Sequence, residues 1–186
     1  MDHKEITDNL RDIIDDFFST KTELFGKVIE VTARSLKTGH KILVFGNGGS
    51  AAEAQHFAAE LVNKFLKPRG PLRAISLTTD TSALTSIGND SSFDQVFSRQ
   101  VEAFAEEGDI ALALSTSGNS PNIVLALEAA KERKMVTVAL TGKGGGKLGP
   151  IVDYLLDIPC KKTPRIQEVH LLLLHMLAQE LEERLT

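Results

Sequence analysis

The residues best suited to chemistry lie in one stretch, KILVFGNGGSAAEAQHFAAEL, at positions 41–61. Within it His56 and Glu60 stand four residues apart. On a helix that spacing puts imidazole and carboxylate on one face, about 6 Å apart along the axis. Such a pair suits a metal ion or proton transfer, because both groups are tuned toward neutral pH by burial and neighbours. Just upstream, Gly46, Asn47, Gly48, Gly49 and Ser50 make a glycine-rich turn that leaves amide N–H groups bare. A helix opening from such a turn attracts anions through those amides and its dipole. The stretch reads as an anion holder with a reactive pair on the helix leading away from it.

A second loop, Ser115-Thr116-Ser117-Gly118-Asn119-Ser120-Pro121, follows the apolar run 110–114. Ser120 suits a helix cap and Pro121 the first helical position. Hydroxyls and free amides meet there at the carboxyl end of a strand, where open α/β sheets bind ligands. Two anion-friendly loops point to a phosphorylated ligand. Two other motifs fail on inspection. Residues 46–51 fit the dinucleotide pattern G-x-G-x-x-A, but the acidic residue expected about 20 positions on is missing, and the nearest at a strand end is Asp80. Residues 142–147 are one residue short of a nucleotide P-loop, with Leu148 where Ser or Thr is needed. They read as a flexible surface loop.

These residues need a scaffold, and the hydropathy pattern supplies one. Near-continuous apolar runs mark strands at 41–45, 73–77, 109–115, 135–140 and 154–158. Helical patterns separate them at 51–65, 93–105 (after a short piece at 84–87) and 122–133, and a last helix covers 165–184. This alternation predicts an α/β fold, a doubly wound and mostly parallel sheet of about five strands in one domain. Ahead of it, Ile6, Leu10, Ile13, Ile14, Phe17 and Phe18, then Leu24, Val28, Val31 and Leu36, repeat with helical period. They predict two helices within residues 1–38, interrupted near Ser19-Thr20. Two long apolar faces there suggest packing against another subunit.

The whole chain narrows the function further. A net charge of −4 leaves no electrostatic footprint for nucleic acid or an anionic membrane. The first ten residues are polar and acidic, unlike a signal peptide. The longest apolar run, 171–174, is far too short to span a bilayer. A single cysteine, Cys160, excludes an internal disulfide and fits a reducing cytoplasm. The final helix carries Gln167, His170 and His175. The two histidines diverge by roughly 140° around its axis, so they do not share a ligand within one subunit. For either one alone, a satisfied core or interface histidine is the ordinary reading.

Residues 44–61, TTDTSALTSIGND at 78–90, FSRQVE at 97–102, residues 115–122 and TPRIQEVHLLLLH at 163–175 together resemble the bacterial phosphoheptose isomerases. These are members of the sugar isomerase (SIS) domain proteins. The resemblance covers nearly the whole chain, with matching length and element order. It implies a homotetramer with active sites between subunits, built by the N-terminal and last helices. It implies interconversion of sedoheptulose 7-phosphate and D-glycero-D-manno-heptose 7-phosphate through an enediol(ate), the first step toward ADP- or GDP-heptose. Such a product would feed a lipopolysaccharide, a capsule or an S-layer glycan. Substrate contacts are implied at Asn47, Gly48, Gly49, Ser50, Asn89, Asp90, Ser115, Thr116, Ser117, Ser120 and Gln167.

A zinc site of His56, Glu60, Gln167 and His175 is also implied, with Glu60 and His175 as the acid–base pair. Gln167 and His175 are about 12 Å apart on an ideal helix, so they reach one ion only by leaning together or from an irregular first turn. Lys64 stands where some members have arginine, and Pro164 replaces an acidic residue found in others. A rival from another class is a tetrameric SIS protein that binds the replication initiator and performs no chemistry. That relative lacks both Glu60 and His175, so their joint presence favours an enzyme. Nothing in the sequence measures a seven-carbon chain, and another sugar phosphate stays open as substrate.

Overall fold

The computed structural model describes residues 3–186. In chain order its elements are α1 (His3–Lys37), β1 (Ile42–Gly46), α2 (Gly49–Val62), β2 (Ala74–Ser76), α3 (Thr81–Asp90), a 3-10 turn (Phe93–Gln95), α4 (Ser98–Phe104), β3 (Ile110–Ser115), α5 (Pro121–Glu132), β4 (Val136–Thr141), β5 (Tyr154–Asp157) and α6 (Thr163–Leu185). The strands form one sheet in the order β2-β1-β3-β4-β5, with every neighbouring pair parallel. Successive strand residues face opposite sides. Ile42, Val44, Ile110, Leu112 and Leu114 therefore enter a core shared with α1, α2 and α6. Leu43, Phe45, Ala111 and Ala113 enter a second core against α4 and α5. Helices cover both faces, as the alternation predicts. No helix among the described residues is long and apolar enough to cross a membrane.

The N-terminal prediction needs correcting. Residues 3–37 form one continuous helix, not two broken near Ser19-Thr20. The hydroxyls that suggest a break bond back into the helix instead: Ser19 Oγ donates to the Asp16 carbonyl at 2.8 Å and Thr20 Oγ1 to the same oxygen at 3.2 Å. Phe17, Phe25, Val28 and Ile29 carry the buried stripe straight through. The helical pattern at 93–105 divides into the 3-10 turn and α4, whereas the short piece at 84–87 belongs to a full ten-residue helix, α3. Asp80 caps α3 by accepting the Ala83 amide at 2.9 Å. The stretch 143–150 is tied down rather than loose. Leu148 is fully buried and its amide donates to the Gly118 carbonyl, while the Lys147 amide donates to Asn119 Oδ1.

The ends of α2 and α6 are joined by a buried ion pair absent from the sequence reading. Glu182 accepts the amides of Phe65, Leu66 and Lys67 and the Nε of Arg69, all between 2.8 and 3.1 Å. Arg69 also donates to the carbonyls of Glu60 and Leu61, filling acceptors that the end of α2 leaves open. Burial alone would raise the Glu182 carboxyl, but the three amides and the guanidinium outweigh it and hold it below the ordinary value. A carboxyl depressed in the folded state adds stability above its unfolded value, and this is lost as pH falls through the folded value. Glu182→Gln is therefore expected to lower the melting temperature at pH 7. The gap to the unmodified protein should narrow below about pH 4, where the unfolded carboxyl also takes a proton. Calorimetry across that range checks it.

Candidate active site

The strand order reverses direction between β1 and β3, which is where open α/β sheets hold ligands. The loops leaving those two strands are the two glycine- and serine-rich segments. They enclose a cavity of about 220 Å³ lined by Asn47, Gly49, Ser50, Leu114, Ser115, Thr116, Ser117, Ser120, Thr163 and Gln167. Eight of the predicted substrate contacts are thus brought together, and Gly48 adjoins them. Asn89 and Asp90 are not: they sit exposed at the end of α3, where Asn89 Nδ2 donates to Asp90 Oδ1 at 2.7 Å.

Local chemistry explains why the loops are shaped for an anion. Gly48 precedes α2 with φ of 55°, and no side chain caps the helix; the Ser50 and Ala51 amides turn back to the Asn47 and Gly48 carbonyls. A Cβ on Gly49 would stand within bonding reach of the Gln167 amide, so a side chain there would displace that amide from its present place. Ser120 occupies the cap position of α5, yet its hydroxyl makes no bond to that helix and stays available. The two loops are fastened by Asn47 and Asn122, whose amides exchange reciprocal hydrogen bonds of 2.9 Å. Asn122 is a site residue that the sequence reading passed over. Its signal is a polar side chain one position after the helix-starting proline, on a face that is otherwise apolar.

Further along α2, the reactive pair meets the last helix. His56 Nε2 lies 2.8 Å from His175 Nε2 and 3.3 Å from Glu60 Oε1. The ligand atoms of the three side chains lie within 4.8 Å of one another. Phe65 lies against His175, ring centroids 5.6 Å apart. Two imidazoles and a carboxylate, partly exposed, are a donor set that could hold a metal ion. The residues fit a divalent ion. Gln167 stands at the other end of the helix pair, with its Cδ and Oε1 3.1 and 3.2 Å from where a Gly49 Cβ would be. His40, Glu106 and Asp109 form a second cluster, but Lys41 already neutralises it. Its Nζ is 2.7 Å from Asp109 and 3.1 Å from Glu106.

The SIS domain model matches residues 6–142. The phosphoheptose isomerase of Nitratidesulfovibrio vulgaris strain Miyazaki F is 48% identical over 94% of this chain and 89% of its own. That of Azoarcus sp. strain BH72 is 57% identical over 84% and 81%. The chain belongs to the phosphoheptose isomerase family of SIS domain proteins. Phosphoheptose isomerase GmhA from Neisseria gonorrhoeae shares the fold, with a TM-score of 0.91 at 43% identity over 97% of this chain and 96% of that one.

A carboxyl beside the site carries a charge balance that neither motif nor spacing reveals. Glu53, one turn along α2 from Ser50, has a buried Oε2 without a partner among the described residues. Burial pushes its carboxyl up to about 7, although the Ser50 hydroxyl bonds to it and opposes the shift. The folded state therefore holds a proton that the unfolded chain releases near pH 4.5, and stability falls as pH rises from there to about 7. Glu53→Gln, which removes the charge and keeps the shape, should raise the melting temperature at pH 8 and leave it nearly unchanged at pH 4. Thermal melts at the two pH values measure the difference.

Proposed function

We propose that the chain is a ketose–aldose isomerase that interconverts sedoheptulose 7-phosphate and D-glycero-D-manno-heptose 7-phosphate. The observation that carries this reading is the His56–Glu60–His175 cluster, set about 10 Å along α2 from the anion cavity at Gly49. That separation suits a sugar whose phosphate and carbonyl lie at opposite ends. The phosphate end is assigned to Ser50, Ser115, Thr116, Ser117, Ser120 and the N-terminus of α2, which supply neutral donors and the positive end of a helix dipole. Asn47 and Gln167 are assigned to the sugar hydroxyls nearby.

Moving the carbonyl from C2 to C1 requires a proton to leave C1, an enediol or enediolate to form, and a proton to arrive at C2. Glu60 is assigned as the base that shuttles the carbon-bound proton. His175 is assigned as the acid–base partner that exchanges a proton with the neighbouring oxygens. His56, 2.8 Å from His175, orients that imidazole. Held by His56, Glu60 and His175, a divalent ion such as zinc would polarise the vicinal oxygens and favour enediolate charge. Gln167 joins that set only by turning its amide away from Gly49. Glu60 is a weaker base while it ligates a cation, so proton transfer calls for its carboxylate to be free of the ion.

Metal-replete protein incubated with candidate ketose phosphates, with the products read by NMR, tests the reaction. Aldose formation from the seven-carbon substrate is the expected result; turnover of a pentulose or hexulose phosphate instead would reassign the substrate, and no product from any would favour the binding-protein reading. Glu60→Gln and His175→Gln should each lower kcat by about 10²-fold or more, the scale of a positioned acid–base group. Turnover in D₂O should place deuterium at C2 of the aldose.

The assembly is proposed to be a cytoplasmic homotetramer of single SIS domains, with residues 1–38 in its interfaces. Two features support this. A groove between α1 and α6 is lined by Phe18 and Met176, both partly exposed, over the buried Phe25 and Ile29. On α3 no residue is buried, and Asn89 and Asp90 stand outside this chain's own cavity. In a shared site they would serve a neighbouring subunit. Sedimentation at micromolar concentration should give a species near four times 20.2 kDa.

A further inference from the structure

His170 is fully buried in α6, one turn after Gln167. Its Nε2 lies 3.2 Å from the Thr141 carbonyl oxygen. A carbonyl only accepts, so the Nε2 nitrogen carries the hydrogen and Nδ1 is left as an acceptor. That Nδ1 is buried and has no partner among the described residues. Burial holds the imidazole neutral, pushing its pKa down to about 4 against the opposing bond to Thr141. Leucine would fill the same space without an unpaired polar atom, so packing does not explain this side chain.

Its one bond, however, reaches the anion cavity through a single peptide unit. The Thr141 oxygen already accepts the Ile158 amide at 2.9 Å, and His170 fills its second lone pair. The amide of the same peptide, on Gly142, donates to the Thr116 carbonyl at 3.1 Å. Thr116 lines the cavity, and the residue before it, Ser115, pairs with Thr141 across β3 and β4. The junction has no slack: a Cβ on Gly142 would stand 2.5 Å from the Thr116 oxygen and 2.6 Å from Ile166 Cδ1. One turn of α6 therefore touches both loops, Gln167 at Gly49 directly and His170 at Thr116 through the 141–142 peptide.

We propose that His170 is a positioning residue that fixes the Thr141–Gly142 peptide so that Ser115, Thr116 and Ser117 hold their anion-binding geometry. This rests on the reading of the cavity as the phosphate site. The acid–base cluster lies further along α6 and does not depend on that peptide, so the effect belongs in ground-state binding rather than in the chemical step.

Three variants test it: His170→Leu, His170→Gln and Gly142→Ala. Each is measured for sedoheptulose 7-phosphate kinetics, for inorganic phosphate binding by calorimetry and for melting temperature. In the leucine variant KM and the phosphate Kd should rise about three- to tenfold, the scale of one hydrogen bond, with kcat within about twofold. Its melting temperature should not fall, because an unpaired buried acceptor has been removed. His170→Gln, whose amide nitrogen can replace Nε2, should recover most of the affinity. Gly142→Ala should reproduce the loss with His170 intact, and these two variants decide the matter if the leucine variant does not fold. An unchanged phosphate Kd in His170→Leu, a fall in kcat at constant KM, or a glutamine variant as impaired as the leucine one would overturn the proposal. If the unmodified protein neither binds phosphate nor turns over a sugar phosphate, the site reading itself fails. Phosphate binding that ignores His170 would remove only the positioning role.

Discussion

The packing of α2 on α6 is the contact on which the site depends. The two helices run parallel, since Gly49 meets Gln167 near their N-terminal ends and His56 meets His175 further on. Adhesion between them comes from apolar burial: Leu61, Leu173, Leu174, Leu177 and Leu181 are all essentially buried, at about 1.5–3 kcal/mol per such side chain. Hydrophobic contact is non-directional, however, and does not choose the register. Register is set by the two ends. At one, the absence of a side chain on Gly49 admits the Gln167 amide. At the other, Glu182 gathers three amides and Arg69, and Arg69 in turn takes the last carbonyls of α2. A slide of one helical turn, about 5.4 Å, would separate His56 from His175 entirely. Buried ion pairs add little net stability but do specify one arrangement, and that is the use of this one.

The anion cavity follows a different logic. Its lining contains neither lysine nor arginine. On the proposed reading, negative charge there would be met by hydroxyls and the start of α2, on two loops fastened by the Asn47–Asn122 pair. Donors of this kind are fixed in direction, whereas a flexible lysine would follow the anion wherever it moved. Fixed donors serve a reaction in which the far end of the substrate must be held relative to His56, Glu60 and His175. They also make the cavity sensitive to small displacements of the loops.

Much of this was legible in the sequence because it is local. The strands declare themselves by apolar runs, the anion loops by glycines and hydroxyls between a strand and a helix, and His56 with Glu60 by their four-residue spacing. The continuity of α1 was not legible, because Ser19 and Thr20 break or sustain a helix according to where their hydroxyls bond. Nor was the placement of Gln167 and His175 on α6: the first lies beside Gly49 in the cavity lining, and the second meets His56 about 12 Å further along. Arg69, Glu182, Asn122 and Glu53 matter only through partners distant in sequence or through burial. No local pattern carries that information. His170 was read as a satisfied core or interface histidine; it is buried and its Nε2 meets the Thr141 carbonyl, while its Nδ1 has no partner among the described residues.

Two of the buried polar atoms without partners bear on the site. Glu53 Oε2 and His170 Nδ1 are both buried without partners, and they lie on the same two helices that carry the reactive cluster. A core selected for stability alone would replace both with apolar side chains of similar volume. Asp109, by contrast, is fully buried and accepts the Lys41 amide, the Glu106 amide and the Lys41 ammonium. Unpaired buried atoms are not confined to the two helices, since Thr32 Oγ1 on α1 is another. Each polar atom kept in this way costs stability that an apolar side chain would not, and the apolar burial between α2 and α6 works against that cost.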